Sequence, residues 1–173
     1  MRLVATPSQT VGPFFSIGMH SVEIAIKPGG ERLTIQGRVL DGDGNAVNDA
    51  VIETWQADSA GHYADRSSHG WGRAVTDGSG TFRFSTPRPG RLAAVDDVVH
   101  APHIAVTIFA RGLLKHLVTR IYFPDEPSNA SDQILGSVPG DRRATLIART
   151  AGPNNFEWNI ILQGKDETVF FEC

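Results

Sequence analysis

Apolar residues in this chain recur at every second position, in runs that suit strands and little else. Leu33, Ile35, Gly37 and Val39 alternate with Thr34, Gln36 and Arg38. Phe82 and Phe84 alternate with Thr81, Arg83 and Ser85. Phe156, Trp158, Ile160 and Leu162 alternate with Glu157, Asn159 and Gln163, with Ile161 intervening. Side chains along a strand point to opposite faces in turn, so a period of two makes one apolar face and one wet face. Residues 51–55 and 103–110 are more continuously apolar, as central strands are. Asp41-Gly-Asp-Gly-Asn45 and Asp77-Gly-Ser-Gly80 read as turns between such runs. Within residues 127–151 one helical patch is expected, at 142–149. Many short strands with glycine-rich turns predict an all-β sandwich with little helix. Residues 1–32 carry little period and are punctuated by proline and glycine. They are expected to form an irregular arm, laid on a surface or a partner, ahead of a sandwich domain at 33–173.

A chain of 173 residues fits one domain and is long enough to bury a core. Its 40% hydrophobic and 20% charged residues argue against disorder. The net charge of −3, with no block of one sign, argues against nucleic acid or a membrane surface as a partner. The longest apolar stretch, about 104–110, falls far short of the roughly 20 residues a spanning helix needs. The first residues lack the apolar core of a secretory signal. The single cysteine, Cys173, allows no internal disulfide, which fits the cytoplasm.

Five stretches carry a family resemblance. They are Thr6-Pro-Ser-Gln-Thr-Val-Gly-Pro-Phe-Phe15, Glu53-Thr-Trp-Gln-Ala-Asp58, Gly61-His-Tyr63, Ala101-Pro-His-Ile104 and Gly164-Lys-Asp-Glu-Thr-Val-Phe-Phe171. In this order and spacing the chain resembles the intradiol ring-cleaving dioxygenases over most of its length. The resemblance implies a non-haem ferric site built from two tyrosines and two histidines. Tyr63 stands at the first tyrosine position and His103 at the first histidine position. The second histidine position holds Ala105, which has no donor atom. The second tyrosine falls near Leu92, and no tyrosine exists between Tyr63 and Tyr122. Two donors do not hold a ferric ion. The chain is therefore expected to bind no metal itself, with Tyr63 and His103 as remnant positions. Two other histidine patterns are weak. His100 and His103, three apart on a strand, face opposite sides. His62 and His69 flank Asp65 and Ser67 without an elbow or oxyanion signature.

Within the family, the likeness is to the α chain of a two-chain form that cleaves 3,4-dihydroxybenzoate with O2. There a homologous β chain carries Fe(III), and the pair assembles as (αβ)n. The resemblance implies that this chain contributes no catalytic residue and lines the partner's cleft with Thr10, Gly12, Pro13 and Arg111. Glycine lets a backbone approach a ligand closely, and proline keeps that approach rigid. A guanidinium complements the substrate carboxylate. The bland reading of Arg111 is a surface ion pair. Two alternatives remain: a single-chain catechol or hydroxyquinol dioxygenase, and a non-enzymatic β-sandwich binding module.

Overall fold

A computed structural model describes residues 5–24, 26, 31–63, 69–92 and 100–172. Nine strands lie among them: β1 (Arg32–Leu40), β2 (Val51–Gln56), β3 (Trp71–Val75), β4 (Thr81–Pro87), β5 (His103–Phe109), β6 (Leu117–Tyr122), β7 (Arg149–Gly152), β8 (Asn155–Glu157) and β9 (Ile160–Ile161). One short helix, α1 (Gln133–Ser137), follows β6. One sheet has the order β4-β1-β8-β7, with β9 also paired to β1. The other has the order β3-β2-β5-β6, with every pair antiparallel. The two apolar faces meet in one core. Ile35, Phe82 and Phe156 from the first sheet join Ile52, Ile104 and Ile121 from the second. This is the all-β sandwich that the alternation predicts.

Both expected turns form, and by the same device. The Asp41 carboxylate accepts the backbone N–H of Asp43 and of Asn45. The Asp77 carboxylate accepts those of Ser79 and Thr81. These bonds favour the charged form, so both carboxyls titrate below their ordinary range, led by Asn45 for Asp41 and by Ser79 for Asp77. Gly44 and Gly80 supply the positive φ, 81° and 74°.

Two expectations need correction. The run from Phe156 to Leu162 is two strands, β8 and β9, interrupted at Trp158 and Asn159. There the Asn159 side-chain oxygen accepts the Arg38 N–H at 2.9 Å, where a regular ladder would use a main-chain carbonyl. Gly37 sits against this break: a Cβ there would lie 1.7 Å from the Trp158 carbonyl oxygen. The helical patch at 142–149 is one 3-10 turn, Arg143–Leu146, running into β7. The chain turns extended there because Ala148 N–H donates to the Tyr122 carbonyl at the end of β6.

The arm is not uniform. Phe14 and Ile17 are 75% and 79% exposed, around a single 3-10 turn at Phe15–Gly18. Val22 exchanges two main-chain bonds with Arg73, and Ile24 and Ile26 are buried in the core. The chain is therefore anchored to the body before β1 begins. At the other end, Phe171 bridges Val118 and the buried Thr168 accepts the Ile161 N–H, laying the C-terminal segment beside β6.

Candidate functional site

The outer face of the second sheet carries the remnant positions. Strand register sets Trp55, Ala105 and Arg120 in one row across β2, β5 and β6. The next row on the same face pairs His103 with Tyr122. The stretch Glu53–Asp58 explains how Tyr63 joins them. Gln56 turns inward, where its amide donates to the Pro87 carbonyl and accepts from Thr86, tying the two sheets together. Asp58 accepts the N–H groups of Ala60 and His62, and Gly61 takes φ 83°. That turn returns Tyr63 to stack on Trp55, with ring centroids 6.2 Å apart and planes 8° from parallel. Leu92 packs beside Gly61 and brings no donor atom.

His103 is 4% exposed, and its Nδ1 lies 2.8 Å from the Ala101 carbonyl. A carbonyl only accepts, so Nδ1 carries the proton and Nε2 presents a lone pair. Burial, then the Arg120 charge, push its pKa down to about 4 against the pull of the Ala101 carbonyl. The ring is neutral at pH 7. Burial raises the Tyr63 phenol, and Arg120 works against that rise. Tyr122 is fully buried and pushed up to about 12, chiefly by burial. Its hydroxyl donates to Asp132, which also accepts the N–H of Ala101 and caps α1 through Leu135. Arg120, half-buried, donates to the Tyr122 hydroxyl at 3.5 Å.

Among the described residues, no three His, Cys, Asp or Glu side chains converge. One phenol and one imidazole beside a guanidinium do not fit a ferric ion, which needs a full shell of oxygen and nitrogen donors. His100 touches His103 ring to ring at 6.0 Å, and its buried Nδ1 has no partner among the described residues. His62 is exposed and approaches Asp58 at 3.9 Å. Asp65 and Ser67 lie outside the described residues.

The other set gathers at the far end of β5. Gly112 N–H donates to the Thr10 hydroxyl at 2.8 Å, fastening the arm to the turn after β5. Next to it, Arg111 Nε lies 2.8 Å from Asp49. Asp49 is 13% exposed and Arg111 57%, so a sheltered carboxylate holds an open guanidinium by one edge. Gly12 and Pro13 are exposed, and a Cβ on Gly12 would meet nothing within 4 Å. The open side of that backbone faces away from this chain. A groove of about 900 Å³ runs between the arm, the β5–β6 turn and the C-terminal segment. At about 3.3 Å per strand residue, β5 sets His103 and Phe109 roughly 20 Å apart, and Arg111 lies beyond Phe109 in the following turn.

Thr10 is thus tied to the turn that carries Arg111, Gly12 and Pro13 lie exposed further along the arm, and Tyr63, Ala105 and His103 belong to the outer face of the second sheet. Sequence reasoning passes over Asp49 and Arg120. Asp49 gives no signal, being one acid in a polar loop. Arg120 alternates with Tyr122, but only the register shows that it faces Ala105.

The dioxygenase family profile matches residues 18–164. The chain is 41% identical over 197 aligned positions to the protocatechuate 3,4-dioxygenase alpha chain of Burkholderia cepacia, covering 98% of each. That alignment is longer than the chain, so the relative carries residues this chain lacks. The chain is 34% identical to the beta chain of the same organism, over 82% of this chain and 68% of that one. The fold superposes on hydroxyquinol 1,2-dioxygenase of Pseudomonas putida DLL-E4 with a TM-score of 0.66 at 23% identity, over 92% of this chain and 68% of that one.

Proposed function

The chain belongs to the intradiol ring-cleavage dioxygenase family, and from that membership we propose that it is the α subunit of a protocatechuate 3,4-dioxygenase. The holoenzyme opens the ring of 3,4-dihydroxybenzoate between its two hydroxyls with O2, giving 3-carboxy-cis,cis-muconate. Ferric iron belongs to a homologous β chain in an (αβ)n assembly. The existence of a similar beta chain, itself a relative of this one, supports two homologous partners. The enzyme works in the cytoplasm, where Cys173 remains a thiol.

One observation carries this reading. The arm is fastened through Thr10 to the turn that carries Arg111, at the end of β5 away from His103, with a strand length of roughly 20 Å between them. A substrate held by Arg111 cannot reach Tyr63 or His103. The surface is useful only if a second chain closes over it with a reactive centre of its own.

The residues of this chain then bind and orient. Arg111, fixed through Nε by Asp49, offers its terminal nitrogens to the substrate carboxylate. A planar guanidinium meets a carboxylate at two points, which sets direction as well as affinity. Thr10 keeps the arm in register with that guanidinium. Gly12 and Pro13 present bare backbone to the ligand or to the wall of the partner's cleft. A single-chain catechol or hydroxyquinol enzyme would need its whole donor set here, and Ala105 and Arg120 oppose that.

The test is co-expression with the β chain and steady-state kinetics of Arg111→Ala, with iron content as control. A hydrogen bond between charged groups is worth roughly 1.5–3 kcal/mol, so kcat/KM for protocatechuate falls about tenfold to a hundredfold. Catechol, which has no carboxylate, loses less. Arg111→Lys recovers part of the loss. Equal losses on both substrates would mean that Arg111 supports the interface instead. No turnover with any β chain would leave a binding module.

A further inference from the structure

A shortage of donors is one reason for this pocket to hold no metal, and Arg120 adds a second that is independent of it. Ala105 stands where a donor is missing, and the residue directly across the ladder from it is Arg120. Directly opposed Cβ atoms in an antiparallel pair lie about 4.5–5.5 Å apart, so the two share one patch of the sheet face. Trp55 flanks Ala105 on its other side and carries the stacked Tyr63. His103, two residues back along β5, presents its free Nε2 on the same face. An ion held between the Tyr63 oxygen and His103 Nε2 would therefore rest over Ala105, beside the guanidinium. Arg120 also leans the wrong way for such an ion. Its bond to the Tyr122 hydroxyl draws it toward the row that His103 occupies. The Asp132 carboxylate is already engaged by Tyr122, Ala101 and Leu135, and no ion pair to Arg120 forms among the described residues.

We propose that Arg120 has taken the place of the metal: its positive charge, across the ladder from Ala105 and drawn toward the His103 row, bars metal cations from the pocket, whichever ligands surround it. Restoring a ligand is then not enough to restore binding. Two like charges a few ångströms apart in a half-buried site repel strongly, and a divalent ion feels twice the repulsion of a monovalent one. Charge, and not bulk alone, is the barrier. A lysine at 120 keeps the barrier and a glutamine removes it.

The test uses the untagged full-length chain without its partner, and Co(II) as the probe. Co(II) bound to mixed oxygen and nitrogen donors gives visible bands that identify the site. Four proteins are titrated: wild type, Ala105→His, Ala105→His with Arg120→Gln, and Ala105→His with Arg120→Lys. The introduced imidazole sits two residues from His103 and so faces the same side. Wild type and Ala105→His bind no cobalt at the pocket. Ala105→His with Arg120→Gln binds cobalt with visible bands, at concentrations at which Ala105→His shows none. The Arg120→Lys version does not bind. Equal affinity of Ala105→His with and without Arg120→Gln overturns the proposal. So does cobalt binding in the lysine version, or none in the glutamine version when it melts cooperatively. If the Ala105→His proteins do not melt cooperatively, Arg120→Gln alone is titrated with Cu(II) against wild type. Copper held by Tyr63 and His103 only in the variant supports the proposal, and equal behaviour of the two overturns it.

Discussion

Asp49 grips Arg111 by Nε while more than half of the Arg111 side chain stays exposed. A carboxylate that positions another residue acts on substrate binding and hardly on chemistry. In the αβ enzyme, Asp49→Asn therefore raises KM for protocatechuate about three- to tenfold, with kcat and iron content little changed. As the ion pair lies at the surface, stability changes by less than about 1 kcal/mol. A fall in kcat at constant KM would contradict this role. His103 makes a different prediction. Its folded-state pKa is pushed down to about 4 from an ordinary 6.5. Between those values the unfolded chain takes up a proton that the folded chain refuses. Stability consequently drops as pH falls from 6.5 toward 4, by an amount on the order of 3 kcal/mol. Arg120, His100 and Asp132 face the ring, and Arg120 reinforces the effect. His103→Gln has no such slope, and urea midpoints measured from pH 7 to pH 4.5 distinguish the two. The Asp41 and Asp77 carboxyls are also held below their ordinary range by the hydrogen bonds they accept, and their support is lost only as pH falls below that range.

At the scale of elements, the arm divides at Val22. Before it the chain touches the body lightly, and after it Ile24 and Ile26 belong to the core. Removing residues 1–20 leaves the melting temperature within about 3 °C, because little apolar area is lost. It still abolishes most protocatechuate turnover by the αβ enzyme. Ile24→Ala, by contrast, costs about 2–5 kcal/mol with the arm intact. Thermal melts beside kinetics separate the two effects. Gly37→Ala belongs with the second, since its Cβ would collide with the Trp158 carbonyl. The strands with clean alternation, β1 and β4, are legible in the sequence, and so are the turns at Asp41 and Asp77. The break between β8 and β9 is not, because an asparagine side chain standing in for a carbonyl leaves the apolar period intact. The site is half legible for a similar reason. A missing donor at Ala105 shows in one residue. The guanidinium facing it shows only once β5 and β6 are paired.

For the whole molecule, the two sites predict a division of labour that purification can test. The chain alone holds no stoichiometric iron and is colourless, and turnover of protocatechuate appears only with its β partner. One tightly bound iron and a visible tyrosinate-to-metal band in the lone chain would refute this. The placement of the two sites at opposite ends of β5 has a consequence for how such a chain tolerates change. On the proposed α-subunit role, substitutions near His103 and Ala105 are screened by folding alone, whereas those near Arg111 are screened by a reaction carried out in another polypeptide. A saturation scan of β5 and its flanking turns, scored for abundance and for turnover separately, should therefore split at the middle of the strand. One end is free to drift wherever the fold permits, and the other evolves in step with a neighbour's active site.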